Sequence, residues 1–170
     1  MRAIYGVVWA IGAAAIAACG GGGDTTAPPA EASLTCVQSP EAGAAMTCSV
    51  TLPERAELTV TLTSVNCNAH ADRFAITAPV ESVLTADACF ETAGKVVDLG
   101  GAYPPGTPVT MTFTPGAETG ISPGIAAAQV EGSYPHWTIH LEDAVAAYSN
   151  EADDYNDLAV TVTANPVPGQ

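Results

Sequence analysis

Three short runs constrain this chain more than anything else in it. In LTVTL (58–62), VTMTF (109–113) and LAVTV (158–162), apolar residues recur at every second position and threonine fills most of the places between. A period of two puts alternate side chains on opposite faces of an extended strand, so each run offers one apolar face and one hydroxyl-bearing face. One sheet of such strands alone would leave its apolar face wet. The pattern therefore calls for two sheets packed face to face.

The remaining sequence agrees. MTCSVTLP (46–53), AELTVTLTSV (56–65), RFAITAP (73–79), KVVDLG (95–100), PVTMTFTP (108–115), YPHWTIHLE (134–142) and NDLAVTVTA (156–164) are short and rich in Val, Thr, Ile and aromatics. Clusters of Gly, Pro, Asn and Asp separate them, as expected of strands and turns. AYPPGTP (102–108) reads as a turn between two strands. The Ala-rich stretches GIAAAQVEG (124–132) and EDAVAAYSN (142–150) are too short to form helices that are stable without packing. The expected fold is all-β: an antiparallel β-sandwich, Greek-key or jelly-roll-like, of about seven to nine strands.

The first residues belong to a different problem. After Arg2, an uncharged and mostly apolar run extends from Ala3 to Ala18. It is short for a bilayer-spanning helix of roughly 20 residues and suits the apolar region of a secretion signal. The run ends in IAAC (16–19), which resembles the lipobox of bacterial lipoproteins. That resemblance implies that Cys19 is the first mature residue and carries the lipid. Several acyl chains, at roughly 0.8 kcal/mol per buried methylene, anchor a protein durably. GGGGDTTAPPAEA (20–32) then supplies a flexible tether that stiffens at Pro28 and Pro29. The expected organisation is a signal peptide over 1–18, a tether over 19–31 and one domain over 32–170. Gly20 rather than Asp after the cysteine points to the outer membrane under enterobacteria-like sorting.

Charge excludes some partners. The formal net charge of −14 becomes −15 once Arg2 leaves with the signal, and only Arg55, Arg73 and Lys95 remain as fixed positive charges. Nucleic acids and anionic lipid headgroups both require clustered Lys and Arg, so neither is an expected partner. Four cysteines follow Cys19: Cys36, Cys48, Cys67 and Cys89. An even number in an exported chain reads as two disulfides, with three connectivities open. Sequence neighbours, Cys36–Cys48 and Cys67–Cys89, are the favoured pairs, because each loop can close across adjacent strands. Each closure could contribute roughly 3 kcal/mol in the chain-entropy account.

The densest chemistry lies near the C-terminus. Asp153, Asp154, Asn156 and Asp157 crowd into five residues just before the last strand, and the strand before that ends in Glu142 and Asp143. Antiparallel pairing of these two strands would bring the six oxygen-bearing side chains to one end of a sheet. Carboxylates at close range must protonate, separate or bind a cation. Calcium accepts six to eight hard oxygens in flexible geometry, whereas magnesium demands a stricter octahedron and keeps more water. Calcium is therefore the expected ion. The competing reading is a solvated acidic turn held by Asx-type hydrogen bonds. The loop lacks the central Gly and twelfth-position Glu of an EF-hand. Strand periodicity puts Asp157 on the face opposite Leu158, Val160 and Val162, and so outward. Asn156 then faces inward unless the loop has not yet become strand, with turn-locking and ligation both open to it.

This region also resembles a family. Trp137-x-Ile139-x-Leu141-Glu142-Asp143, a variable loop and DDYNDLAVTV (153–162) look like the C-terminal signature of choice-of-anchor-type exported β-sandwich domains and related domains of unknown function. Upstream, VDLGGAYPPGTPVTMTF (97–113) is similar to their strand–turn–strand. The resemblance covers roughly residues 96–162. It implies a surface or exported β-sandwich, a calcium site in the acidic loop and no established enzymatic activity. Glu142, Asp143, Asp154, Asn156 and Asp157 match its pattern, and Asp153 matches less specifically. AVAAYSNEA (144–152) stands where such domains carry glycines.

Other candidates for chemistry are weaker. His136 and His140 share a strand face with Thr138, while Trp137, Ile139 and Leu141 face the core. The two imidazoles are roughly 13 Å apart along a strand, too far to share one zinc. His70 lies near Asp72, but no Gly-x-Ser-x-Gly elbow or other feature specifies a nucleophile. No catalytic residue is assigned. The expected function is a non-catalytic, lipid-anchored envelope module that binds a surface ligand, protein or carbohydrate. A hydrolase or hydrolase accessory domain, and a purely structural lipoprotein without metal, are the alternatives.

Overall fold

Alternation becomes strand throughout the computed structural model, which describes residues 32–66, 72–116, 123–143 and 155–168. The signal, the tether with Cys19, and Cys67, His70, Asp153 and Asp154 lie outside the described residues. Ten strands are present: β1 (Thr35–Val37), β2 (Met46–Thr51), β3 (Ala56–Val65), β4 (Arg73–Ala78), β5 (Ser82–Thr85), β6 (Val96–Tyr103), β7 (Pro108–Thr114), β8 (Ala127–Ser133), β9 (His136–Glu142) and β10 (Leu158–Pro166). A 3-10 turn, Ala88–Phe90, follows β5. The strands form two five-stranded sheets, ordered β1-β2-β7-β4-β5 and β6-β3-β10-β9-β8, here called sheets A and B. All pairings are antiparallel. In sheet B, β8, β9 and β10 run as consecutive neighbours and β3 lies beside the last of them, a Greek-key order.

The apolar faces meet between the sheets. Met46, Val50, Phe74, Ile76, Met111 and Phe113 from sheet A pack in one cluster with Leu58, Leu62, Trp137, Ile139, Leu141, Val160 and Val162 from sheet B. Each large side chain buried this way contributes roughly 1.5–3 kcal/mol. Trp137, Ile139 and Leu141 face this core, as the period of β9 requires. His136, exposed, and His140, half-buried, stand on the other face.

One expectation needs correction. Among the described residues the strand count is ten, because β1, β5 and β8 add to the seven runs that alternation exposes. β8 forms within the Ala-rich stretch 124–132, where pairing with β9 supplies the hydrogen bonds that composition does not advertise. Cys36–Cys48 is the one disulfide with both cysteines among the described residues. It joins directly opposed positions of β1 and β2 and so ties a three-residue edge strand to its neighbour. Cys89 is disulfide-bonded, but the expected pair with Cys67 falls outside the described residues.

Turns set how the chain crosses between sheets. The β6–β7 turn passes from sheet B to sheet A, and Gly106 within it has φ +83°, a conformation glycine adopts freely. Its amide donates to the Leu52 carbonyl at 2.8 Å, and the Leu52 amide donates to Thr107 at 3.0 Å. The β2–β3 crossing is thereby pinned to the β6–β7 crossing. At the other end, β3 finishes at Val65 in sheet B and β4 starts at Arg73 in sheet A. Leu158 pairs with Val65 on one side and Leu141 on the other, which places the end of β3 and the end of β9 beside the start of β10.

Candidate metal centre

The register of β9 against β10 builds this end of the molecule. Leu141 pairs with Leu158, so Glu142 and Asp143 leave β9 where Asp157 is about to enter β10. On its other side Leu158 pairs with Val65, which brings the end of β3 to the same place. One carboxylate oxygen from each of Glu142, Asp143 and Asp157 lies within 4.8 Å of the other two. The antiparallel pairing expected from sequence therefore does join the LED corner of β9 to the residues before β10.

Backbone donors fix two of these acids. The Asp143 amide donates to Asp157 Oδ2 at 2.9 Å, and the Tyr155 amide donates to Glu142 Oε2 at 3.0 Å. Tyr155 has φ +52°, left-handed and costly for a side chain of this size, which turns its N–H towards Glu142. Asp143 is 5 % exposed and Asp157 7 %, while Glu142 is half-buried. Asp157 is thus not outward. Leu158, Ala159 and Val160 are all buried as well, and the β3–β10 pairing carries an irregularity between Ala159 and Val160. Simple alternation fails here because the end of the strand is covered on both sides.

Asn156 is exposed, and its Oδ1 accepts from Asn66 Nδ2 at 2.7 Å. The Asn66 amide also donates to the Asp157 carbonyl at 2.9 Å. These two bonds lock the start of β10 to the end of β3, the turn-fixing role weighed for Asn156. Asp153 and Asp154, the other two expected ligands, lie outside the described residues.

Sequence reasoning missed the acid that sheet A contributes. Asp72, one residue before β4, is fully buried. Its Oδ1 accepts the Gly116 amide at 2.6 Å, and its carbonyl accepts the Thr85 hydroxyl at 3.2 Å. Its Oδ2 has no hydrogen-bond partner. Burial pushes the Asp72 carboxyl up to about 7. The Gly116 amide opposes that rise, and the negative charges of Asp157, Asp87 and Glu142 add to it. Asp87 caps the 3-10 turn, its Oδ1 accepting the Cys89 amide at 3.0 Å. One signal for Asp72 was available: an acid at the crossover from the end of β3 must sit near whatever pairs with that end.

Such an arrangement can hold a hard cation. Several carboxylates in a partly dehydrated space repel unless a positive charge intervenes, and each of the three mutually close acids offers an oxygen at ligand spacing. Comparison of the chain with protein-family models, with curated proteins and with solved structures finds no match.

Proposed function

We propose that this chain is a non-catalytic, lipid-anchored β-sandwich of the bacterial envelope whose acidic end is held together by a bound calcium ion. The anchor is Cys19 at the end of the lipobox-like IAAC, and the outer membrane is the destination. The domain stands off the bilayer on its Gly- and Pro-rich tether and presents its loops to a protein or carbohydrate ligand. One observation carries the calcium reading: the convergence of Glu142, Asp143 and Asp157 within 4.8 Å at one end of the sandwich. Calcium is preferred over magnesium because it accepts an irregular set of hard oxygens where magnesium demands a strict octahedron.

Melting the full chain in excess EDTA and then in calcium tests this. A ligand that binds only the folded state at a hundred times its Kd stabilises by about 2.7 kcal/mol. For a domain of this size, that raises Tm by roughly 8 °C. Equal midpoints in EDTA and in millimolar calcium would reduce the acids to solvated turn residues and leave a structural lipoprotein.

A further inference from the structure

The outer face of sheet A carries a depression that the acidic corner does not use. Phe74 and Ile76 of β4 point into the core, so Arg73, Ala75 and Thr77 stand on the opposite face. Ala75 is paired with Val83 on β5 and with Thr112 on β7. A one-carbon side chain between two larger ones leaves a floor, and Ala75 is only 4 % exposed there. Together with Arg73, Thr77, Glu81, Ser82 and Val83, it lines an open cavity of about 490 Å³. That volume lies in the range of small-molecule sites.

Two of these side chains carry opposite charges, yet Arg73 and Glu81 form no ion pair with each other or with another described residue. Register keeps them apart. Ile76 pairs with Ser82, so Glu81 lies near the level of Thr77, roughly 13 Å along β4 from Arg73 at about 3.3 Å per residue. In a chain with 4 basic and 18 acidic residues, an unpaired guanidinium in a cavity is a scarce group. β4 has β5 on one side and β7 on the other, so its backbone groups are already taken. An extended peptide adds to a sheet through an unpaired strand edge, which this floor does not offer. Recognition falls instead to a guanidinium, a carboxylate, two hydroxyls and an apolar floor.

We propose that this depression binds a short acidic saccharide of two or three uronic acid rings, with a carboxylate of the ligand on Arg73. The guanidinium offers that carboxylate paired N–H donors. Thr77 donates its hydroxyl to the Thr110 carbonyl at 3.2 Å, which leaves its oxygen as an acceptor for a ring hydroxyl. Glu81 accepts from another, Ser82 donates or accepts, and the C–H face of a ring lies over Ala75 against Val83. The inference rests on the reading that the domain binds a surface ligand. It names that ligand's class and moves its site from the loops to a sheet face, and it does not need the calcium site.

The test is a calorimetric titration of trigalacturonate into the full chain, in EDTA so that calcium cannot bridge the two. Saturable binding is expected, with neutral galactotriose at least tenfold weaker. Arg73→Gln should weaken the acidic saccharide at least tenfold and leave Tm unaltered, since Arg73 is exposed and unpaired. An Arg73→Gln affinity equal to the parent's, or an aspartate-rich peptide bound as tightly as trigalacturonate, would overturn the assignment. In the unaltered chain, the amide resonances of Ala75, Thr77 and Val83 should shift together as the saccharide is added. Binding that leaves all three unmoved would overturn the depression as the site and leave a saccharide-binding domain standing. A chain that binds none of these probes would overturn the inference outright, while the calcium reading answers to the melting experiment alone.

Discussion

Asp72 is expensive to ionise in the metal-free protein, and its position in the fold makes that cost readable as a pH dependence. The carboxyl is raised from 3.8 to about 7 on folding, chiefly by burial. The folded state therefore holds this proton more tightly than the unfolded state. Stability from this group is fully present below about pH 4 and is lost as pH rises towards 7, by up to about 1.4 kcal/mol per pH unit across that window. Urea unfolding of the full chain in EDTA between pH 4 and 8 should show this decline, and Asp72→Asn should flatten it. A variant with the parent's slope would show that Asp72 does not cause the decline. The crossover position was the only sequence signal for Asp72, because the acids whose charge acts on it, Glu142 and Asp157, are 70 and 85 positions away. Next to His70 it resembled part of a hydrolytic pair instead. Asp157 was found, but its orientation was not, since period-two reasoning assumes that an open face lies beside the strand.

Elements whose two faces differ in polarity were legible, and elements that depend on their neighbours were not. The cores of β2, β3, β7, β9 and β10 follow directly from alternation, and with them the β9–β10 pairing that assembles the acidic corner. β5 is four residues long, β1 three, and β8 reads AAQVEGS, so none carries enough alternation to be seen alone. β8 is an edge strand made by its hairpin with β9, and Gly132 is the residue that makes the hairpin fit. It has φ +85°, and a Cβ there would stand 2.5 Å from the His136 carbonyl oxygen. His136 is held in the sheet by pairing with Thr163, so the obstacle cannot move cheaply. Gly132→Ala should therefore cost about 1–3 kcal/mol, seen as a lower urea midpoint with an unchanged slope. An unaltered midpoint would mean that the hairpin tolerates a different turn.

Across the whole molecule, sequence set the class of fold and pointed to the acidic corner, while the buried Asp72 beside β4 came only from the structure. The two ends of the sandwich are built differently. At one, backbone hydrogen bonds between Leu52, Gly106 and Thr107 join the crossings. At the other, the pairing of β9 with β10 brings Glu142, Asp143 and Asp157 together. A molecule carrying a formal charge of −14 on 170 residues has little countercharge of its own to spend there. The account's central claim is that a calcium ion fills this role, and equilibrium dialysis of the full chain against radioactive calcium tests it most directly. The account predicts one ion bound per chain in saturable fashion, resistant to an excess of magnesium and lost in Asp157→Asn. Binding that never saturates, or a bound count that the Asp157→Asn change leaves untouched, would contradict it.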